Sequence, residues 1–447
     1  MLGDYRITGR RANEIAAEIE QLVVSGSLAP GAILPPLREL AGEIGVNPNT
    51  VAAAYRVLRE RGVIETAGRR GSRVLPRPAA TSRDFVRLEI PPGARDLSEG
   101  NPDPALLPAL GRALAAAARA EADSPVLYGR AAQEDRLLAL AAASFAADGI
   151  PADHLAVTSG SLDAIERILQ TWLRPGDTVA VEDPGWGALL DLLPALGLKT
   201  HPVRVDDDGP LTADLAEALD AGARAVVVTS RAQNPTGASL GSRRARELRE
   251  LTERRPDVGV IEDDHGHGIV DLPFERVGAA TSARWAVLRS VAKSLGPDLR
   301  TAVFAGDAET VERVRGRLRL GPGWVSLLLQ RTAAELWAGH DPAPVAAAYR
   351  ARRDELLAEL AARGVRAHGR SGLNVWVPVR DETAAVAGLL RRGWGVAAGA
   401  RFRVDAPPGI RITVASLRQG DAAALAEDVA ALTGWGGGGR GDVLGRG

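Results

Sequence analysis

Cysteine is absent from this chain of 447 residues, and lysine is nearly so: two of its 55 basic residues are lysines, Lys199 and Lys293. The first absence excludes disulfides, thiolate metal sites, thiol nucleophiles and cysteine redox switches. The second singles out Lys293, which sits in Ser290-Val291-Ala292-Lys293-Ser294-Leu295-Gly296-Pro297-Asp298-Leu299-Arg300. A solvated position gives no reason to prefer lysine over arginine. A Schiff base does, because a lysine amine loses its proton readily enough to attack a carbonyl and a guanidinium does not. Lys199 reads as a surface residue. No run of about 18 apolar residues occurs, so no membrane span is expected. The polar start, Met1-Leu2-Gly3-Asp4-Tyr5-Arg6, has no apolar signal segment, and a soluble cytoplasmic protein is expected. Excess charge is also lacking: the net is −1, so bulk charge does not make the molecule a polyanion binder.

What is present falls into regions of different texture. Residues 1–76 hold short helical stretches and a net charge of +2, from ten arginines against eight acidic residues. Residues 77–93 read as a linker. From 94 to 432 short apolar strands, expected at 155–158, 178–182, 225–229, 258–262, 286–289 and 302–305, are interspersed with helices. That pattern predicts an α/β fold with a mostly parallel sheet covered on both faces. A smaller C-terminal α+β subdomain follows from helix 343–363, strand 373–379, helix 382–392 and strand 410–415. The glycine-rich end, 433–447, reads as a disordered tail.

In the first region Ile15, Ile19, Leu22 and Val23 give helix one a single apolar face. Pro35-Pro36 opens a second helix, and Gly45 makes a tight turn. Asn47 is placed to N-cap a third helix with Pro48 in its first position. Val51, Tyr55 and Leu58 form that helix's inward stripe, leaving Asn49, Thr50, Arg56 and Arg59 outside. Segments 63–65 and 72–74 pair as a hairpin with Arg69 and Arg70 at its tip. Such a unit suits duplex DNA. The third helix presents polar side chains to the major groove, and the hairpin tip with Arg6, Arg10 and Arg11 meets phosphate. Leu34-Pro35-Pro36-Leu37-Arg38-Glu39-Leu40-Ala41, with Gly45-Val46-Asn47-Pro48-Asn49-Thr50-Val51 and Ala54-Tyr55-Arg56-Val57-Leu58, resembles the winged helix-turn-helix of GntR-type regulators. Pro36 stands where that family has serine, and Arg69 where it has glycine. The resemblance implies DNA contacts from Arg38, Asn49, Thr50 and the wing.

The large region offers each group that pyridoxal phosphate requires. Lys293 supplies the amine. Asp263, at the end of an apolar strand, supplies an acid for the ring nitrogen. Ser159-Gly160-Ser161 opens a helix and offers a phosphate cradle, which Ser290 and Arg300 close. Trp186 is a stacking candidate, and Asn234 a donor to the ring oxygen. These residues, in this order, resemble the fold-type I (class I/II) aminotransferase domain. The likeness also rests on Leu97-Ser98-Glu99-Gly100-Asn101-Pro102-Asp103-Pro104 and Arg174-Pro175-Gly176-Asp177-Thr178-Val179. The resemblance implies that Arg411 grips an amino-acid carboxylate and that Tyr128 reaches the phosphate of the partner subunit in a homodimer. His265 stands where the family has a tyrosine that donates to the ring hydroxyl, a role histidine can fill.

A winged helix ahead of an aminotransferase-like domain resembles the MocR subgroup of bacterial regulators. Three functions are compatible with that order. One is a transcription regulator that senses an amino compound or a B6 vitamer through an aldimine on Lys293. Another is a working aminotransferase that carries a DNA-binding module. The last is a DNA binder whose second domain only dimerises.

Overall fold

Apolar residues at helical spacing build the N-terminal core. Ile15, Ile19 and Val23 of α1 (Ala12–Val24) pack with Val51, Ala54, Tyr55 and Leu58 of α3 (Pro48–Glu60). The computed structural model describes residues 7–24, 27–60, 63–66, 71–75, 83, 88–129, 133–278, 282–418 and 420–433. Between the two helices lie β1 (Ile33–Leu34) and α2 (Leu37–Ile44), the latter closed by Gly45 in the left-handed region at φ 68°. Asn47 caps α3 as expected, its Oδ1 accepting the Asn49 N–H at 2.9 Å. After α3, β2 (Ile64–Thr66) and β3 (Ser72–Val74) pair antiparallel, one residue later in the first arm than the sequence suggested. β1 adds a third strand on the far side of β3, which two residues gave no periodicity to reveal. The Tyr55 hydroxyl donates to the Pro35 carbonyl at 2.8 Å inside this core, tying α3 to the start of α2.

The second region contains β4 (Arg95–Leu97), α4 (Leu110–Asp123), α5 (Asp135–Ala147), β5 (Leu155–Thr158), α6 (Ser161–Trp172), β6 (Thr178–Asp183), α7 (Gly187–Ala195), β7 (Lys199–Asp206) and β8 (Gly209–Pro210). It continues with α8 (Thr212–Asp220), β9 (Ala225–Thr229), α9 (Ser242–Glu253), β10 (Gly259–Asp263), β11 (Trp285–Ser290), β12 (Ala302–Gly306), α10 (Ala308–Arg319) and α11 (Leu327–Gly339). Its sheet has the order β5-β12-β11-β10-β9-β6-β7-β8. β12 runs against both neighbours and β8 against β7, and the other pairs are parallel. Alternate residues of a strand enter opposite cores. Val179 and Val181 face α6 and α7 in one core, and Ala180 faces α8 and α9 in the other. Burial on both faces is why these strands read as unbroken apolar runs.

The smaller subdomain holds α12 (Pro342–Ala362), β13 (Asn374–Pro378), α13 (Glu382–Arg391), β14 (Trp394–Ala398), β15 (Gly409–Thr413) and α14 (Asp421–Thr433). Its sheet order is β13-β15-β14-β4, so the first strand of the region completes the last sheet. The smaller C-terminal α+β subdomain is as expected, with this one strand added from the start of the region. α14 extends to Thr433, and residues 434–447 lie outside the described residues. Part of the linker is fastened down. Arg83 donates its backbone N–H and Nε to Asp191 of α7 at 2.6 and 2.7 Å. The Ile90 side chain lies so close over β14 that a Cβ at Gly395 would stand 2.2 Å from it.

Replacing Tyr55 by Phe removes the hydroxyl that satisfies the Pro35 carbonyl. The unfolding transition of the winged helix, followed in denaturant, is expected to lose about 1 kcal/mol. An unchanged midpoint would contradict the role given to this bond.

Candidate cofactor and ligand site

The C-terminal ends of the parallel strands converge beneath the smaller subdomain, where open α/β sheets hold their ligands. A cavity of about 540 Å³ lies there. It is lined by Gly160, Ser161, Trp186, Asn234, Asp263, His265, Ser290, Lys293 and Arg300, nine of the residues the sequence singled out. Lys293 comes from the loop after β11 and Asp263 from the last position of β10. Lys199, by contrast, is exposed at the start of β7.

At one end of the cavity a glycine turn meets an arginine. Gly160, at φ 97°, precedes α6, and a Cβ there would approach Arg300 Nη2 to 3.0 Å. The left-handed φ and this close approach both favour glycine at the turn, which lies at the N-terminus of α6. Arg300 Nη2 donates to the Ser159 carbonyl at 2.8 Å, so Ser159 positions Arg300 through its backbone. Ser290 lines the same end, its Oγ accepting the Ala292 N–H at 3.2 Å.

Asp263 is held on both oxygens. Ser161 Oγ donates to Oδ1 at 2.9 Å, and His265 Nδ1 lies 3.2 Å from Oδ2. Ser161, expected in a phosphate cradle, gives its hydroxyl to Asp263. His265, expected as a donor to a ring hydroxyl, has its other nitrogen, Nε2, 2.8 Å from the Ala232 carbonyl. Both neighbours of the imidazole are acceptors, and only the doubly protonated ring satisfies both. Burial alone would lower the affinity of His265 for its proton. The hydrogen bond to Asp263 and the charge of that carboxylate outweigh it, and the net shift is upward.

Lys293 Nζ donates to the carbonyl of Gly100. Gly100 belongs to a strap, residues 98–103, that crosses from β4 over the cavity. Arg411, on β15, donates Nη2 to the Ser98 carbonyl at 2.5 Å and Nη1 to Asn234 Oδ1 at 2.9 Å. Farther along, Asp103 takes its N–H to Tyr349 Oη at 2.8 Å and its carboxylate to Arg352 Nη2 at 2.8 Å. Sequence reasoning valued this segment for its resemblance and missed its contacts with Lys293 and Arg411, which are made by backbone carbonyls that leave no side-chain signature. It also missed Glu182, buried at the end of β6. Glu182 accepts the Thr229 N–H at 3.0 Å and the Gln233 amide at 3.2 Å. Burial pushes its carboxyl up to about 7, against the opposing pull of the Thr229 N–H.

Tyr128 lies outside the cavity. It is 92% exposed and meets Trp324 edge-on, with ring centroids 5.6 Å apart. In the winged helix Arg38 and Asn49 are exposed and Thr50 is half-buried. Arg69 and Arg70 lie outside the described residues, as does Arg6.

Residues 11–74 match the family of bacterial regulatory proteins of the gntR type, and residues 94–429 match the aminotransferase class I and II family. The chain is a GntR-type regulator of the MocR subgroup. Among its relatives is the vitamin B6 salvage pathway transcriptional repressor PtsJ of Salmonella typhimurium, 41% identical over 95% of this chain and 98% of the relative. Another, the probable rhizopine catabolism regulatory protein MocR of Rhizobium meliloti, is 25% identical over 70% of this chain and 69% of its own length. The fold matches the α-aminoadipate aminotransferase LysN of Thermus thermophilus, solved in complex with N-(5'-phosphopyridoxyl)-L-leucine. The TM-score is 0.68 at 20% identity, with 80% of this chain and 96% of the other covered. Among the described residues no helix is long and apolar enough to cross a membrane.

Two measurements check the charges behind this site. Nitrogen NMR of histidine-labelled protein, assigned with His265→Asn, is expected to show both ring nitrogens of His265 protonated at neutral pH. A neutral, single-tautomer pattern would contradict the double-donor geometry. The raised carboxyl of Glu182 means that the folded state keeps a proton the unfolded chain gives up. Its contribution to stability is therefore full below the ordinary carboxylate range and is lost as pH rises toward about 7. Denaturation at a series of pH values should show this decline flattened in Glu182→Gln.

Proposed function

We propose that this regulator binds pyridoxal phosphate covalently at Lys293 and that occupancy of the cavity alters operator binding by the winged helix of a homodimer in the cytoplasm. The observation that carries the reading is the convergence on one cavity of a lysine amine, a fixed carboxylate and an arginine-closed glycine turn. The cofactor, when bound, supplies an aldehyde that condenses reversibly with primary amines. Gly160, Ser290 and Arg300 would hold its phosphate, Asp263 its ring nitrogen, Asn234 its ring oxygen, and Trp186 its face. The full-length likeness to a relative named for vitamin B6 salvage supports a B6 vitamer as the signal.

Arg38, Asn49, Thr50, Arg69 and Arg70 form the DNA-reading surface in this proposal, with base contacts from the α3 N-terminus and phosphate contacts from the wing. Exposed Tyr128 is the group that enters the partner subunit's site. The strap gives ligand arrival a route outward. A lysine engaged with the aldehyde would keep at most one hydrogen on its nitrogen, turned toward the ring oxygen, and would so give up the Gly100 carbonyl. The strap leads back through β4 to Ile90 and Arg83, which stand between the cavity and the winged helix in sequence. Such a release shifts a two-state arrangement only as far as the ligand distinguishes the two states.

A second reading, an active aminotransferase, is favoured by the adjacency of Asn234 and Arg411 beside the cavity. Turnover of an amino donor and a keto acid at rates typical of enzymes would support it over the regulator.

The absorption spectrum of the protein with pyridoxal phosphate tests the covalent link. Wild type is expected to develop the visible band of the lysine adduct, and Lys293→Ala to leave only the spectrum of the free aldehyde. The same band in the variant would place the amine elsewhere.

A further inference from the structure

Two turns carry the proposed contacts to the face and to the ring oxygen of the cofactor, and one buried side chain joins them. Trp186 follows β6 and Asn234 follows β9, which are neighbours in the sheet. Gln233, immediately before Asn234, is fully buried. Its Oε1 accepts the Thr236 N–H at 2.9 Å and the Thr236 hydroxyl at 2.6 Å. Those two donors fix which way the amide is turned, so Nε2 must find acceptors. It finds them at the other turn, in the Pro184 carbonyl at 2.8 Å and Glu182 Oε2 at 3.2 Å. Glu182 leads back to the strand before Asn234: its Oε1 accepts the N–H of Thr229, the last residue of β9, at 3.0 Å.

Neither Glu182 nor Gln233 lines the cavity. Glu182 borders instead a void of about 10 Å³ that it shares with Trp186 and Asp263. Every hydrogen-bonding position of the Gln233 amide is used, two on its oxygen and two on its nitrogen. A buried network satisfied in this way admits one arrangement of the groups it joins, because any slip strands a donor or an acceptor away from water. An apolar pair of the same size would fill the space without fixing the two turns relative to each other.

Resting on the reading of the cavity as a pyridoxal phosphate site, we infer that Gln233, braced by Glu182, is a positioning residue that holds Trp186 and Asn234 in register, so that the two ligand contacts are made as one unit. Without the amide each turn is held only by its own loop, and a ligand must draw both into place as it binds.

The test is a double-mutant cycle on the full-length protein, read by titrating the visible band that pyridoxal phosphate develops. Gln233→Met keeps the volume and removes every bond of the amide. It is expected to weaken binding about tenfold and to diminish the visible circular dichroism of the bound cofactor, with the far-ultraviolet spectrum unchanged. Asn234→Ala is expected to weaken binding about fivefold in the wild-type background and less than about twofold beside Gln233→Met. An equal cost in both backgrounds, or a Gln233→Met protein that binds as wild type does, would refute the inference. Should Gln233→Met fail to fold, Glu182→Gln, which sets amide against amide at nearly constant volume, carries the same cycle with the same expected sign.

A second measurement needs no ligand. Hydrogen exchange is followed at Thr236 and at Gly185, whose N–H donates to the Phe402 carbonyl at 2.7 Å. In Gln233→Met exchange is expected to accelerate about tenfold at both positions. Acceleration at Thr236 alone would show two independent turns and overturn the brace. A wild type that develops no visible band would sink the cofactor reading and the ligand contacts with it, and exchange would still decide whether Gln233 joins the turns.

Discussion

An ammonium group inside a protein must place its hydrogens on acceptors, and Lys293 gives one to the backbone carbonyl of Gly100. Much of the site's behaviour depends on that bond. It joins the loop after β11, in the larger subdomain, to a strap that is otherwise fastened to the smaller one by Arg411, Arg352 and Tyr349. The amine that would take the cofactor is therefore also a tie between the two halves of the cavity. Covalent capture and the tie compete for the same nitrogen, so in the proposed function the chemistry at Lys293 and the position of the strap are one event.

The opposite wall of the cavity is fixed and not switchable. Asp263 lies at the end of a strand buried on both faces, with Ser161 on one oxygen and His265 on the other. Its neighbour Asp264 turns the other way into a bidentate pair with Arg231 at 2.6 and 2.9 Å, and accepts Arg289 Nε at 3.1 Å. Removing one member of such a buried set strands a charge, at a cost of about 3–5 kcal/mol. The end of β10 is accordingly held firmly, which is what the ring-nitrogen role proposed for Asp263 requires. In the proposed function a fixed wall and a releasable strap let the site register occupancy by moving on one side only.

The sequence made the interior strands legible because burial on both faces leaves apolar runs bounded by turns, and 155–158 and 225–229 were placed to the residue. The winged helix was legible through helical periodicity and the Asn47-Pro48 cap. The edge elements were not. β7 carries Lys199, His201, Pro202 and Arg204 on a strand with a neighbour of only two residues on its outer side. β4 and β14 are short, and β14 contains Gly395, needed for the close approach of Ile90 and a poor signal of a strand. At the site, residue identities were readable and their partners were not. Nothing in Ser-Gly-Ser shows that the second hydroxyl turns to Asp263. Nothing in Asp-Asp-His shows that the imidazole bridges back to the Ala232 carbonyl. Nothing in the Gly-Ile-Arg-Ile-Thr segment shows that Arg411 bonds the Ser98 carbonyl and Asn234 Oδ1.

In the proposed function Lys293 is both cofactor ligand and structural tie, which suits a regulator better than a catalyst, since a catalyst gains nothing from coupling its amine to a strap that leads to a DNA-binding module. The most direct measurement of that coupling is operator affinity, by fluorescence anisotropy on a labelled operator duplex, with and without pyridoxal phosphate, for wild type and Lys293→Ala. The account predicts an affinity that changes with pyridoxal phosphate in wild type and is indifferent to it in the variant. Wild-type binding unmoved by pyridoxal phosphate at saturation, or a variant that responds as wild type does, would contradict it.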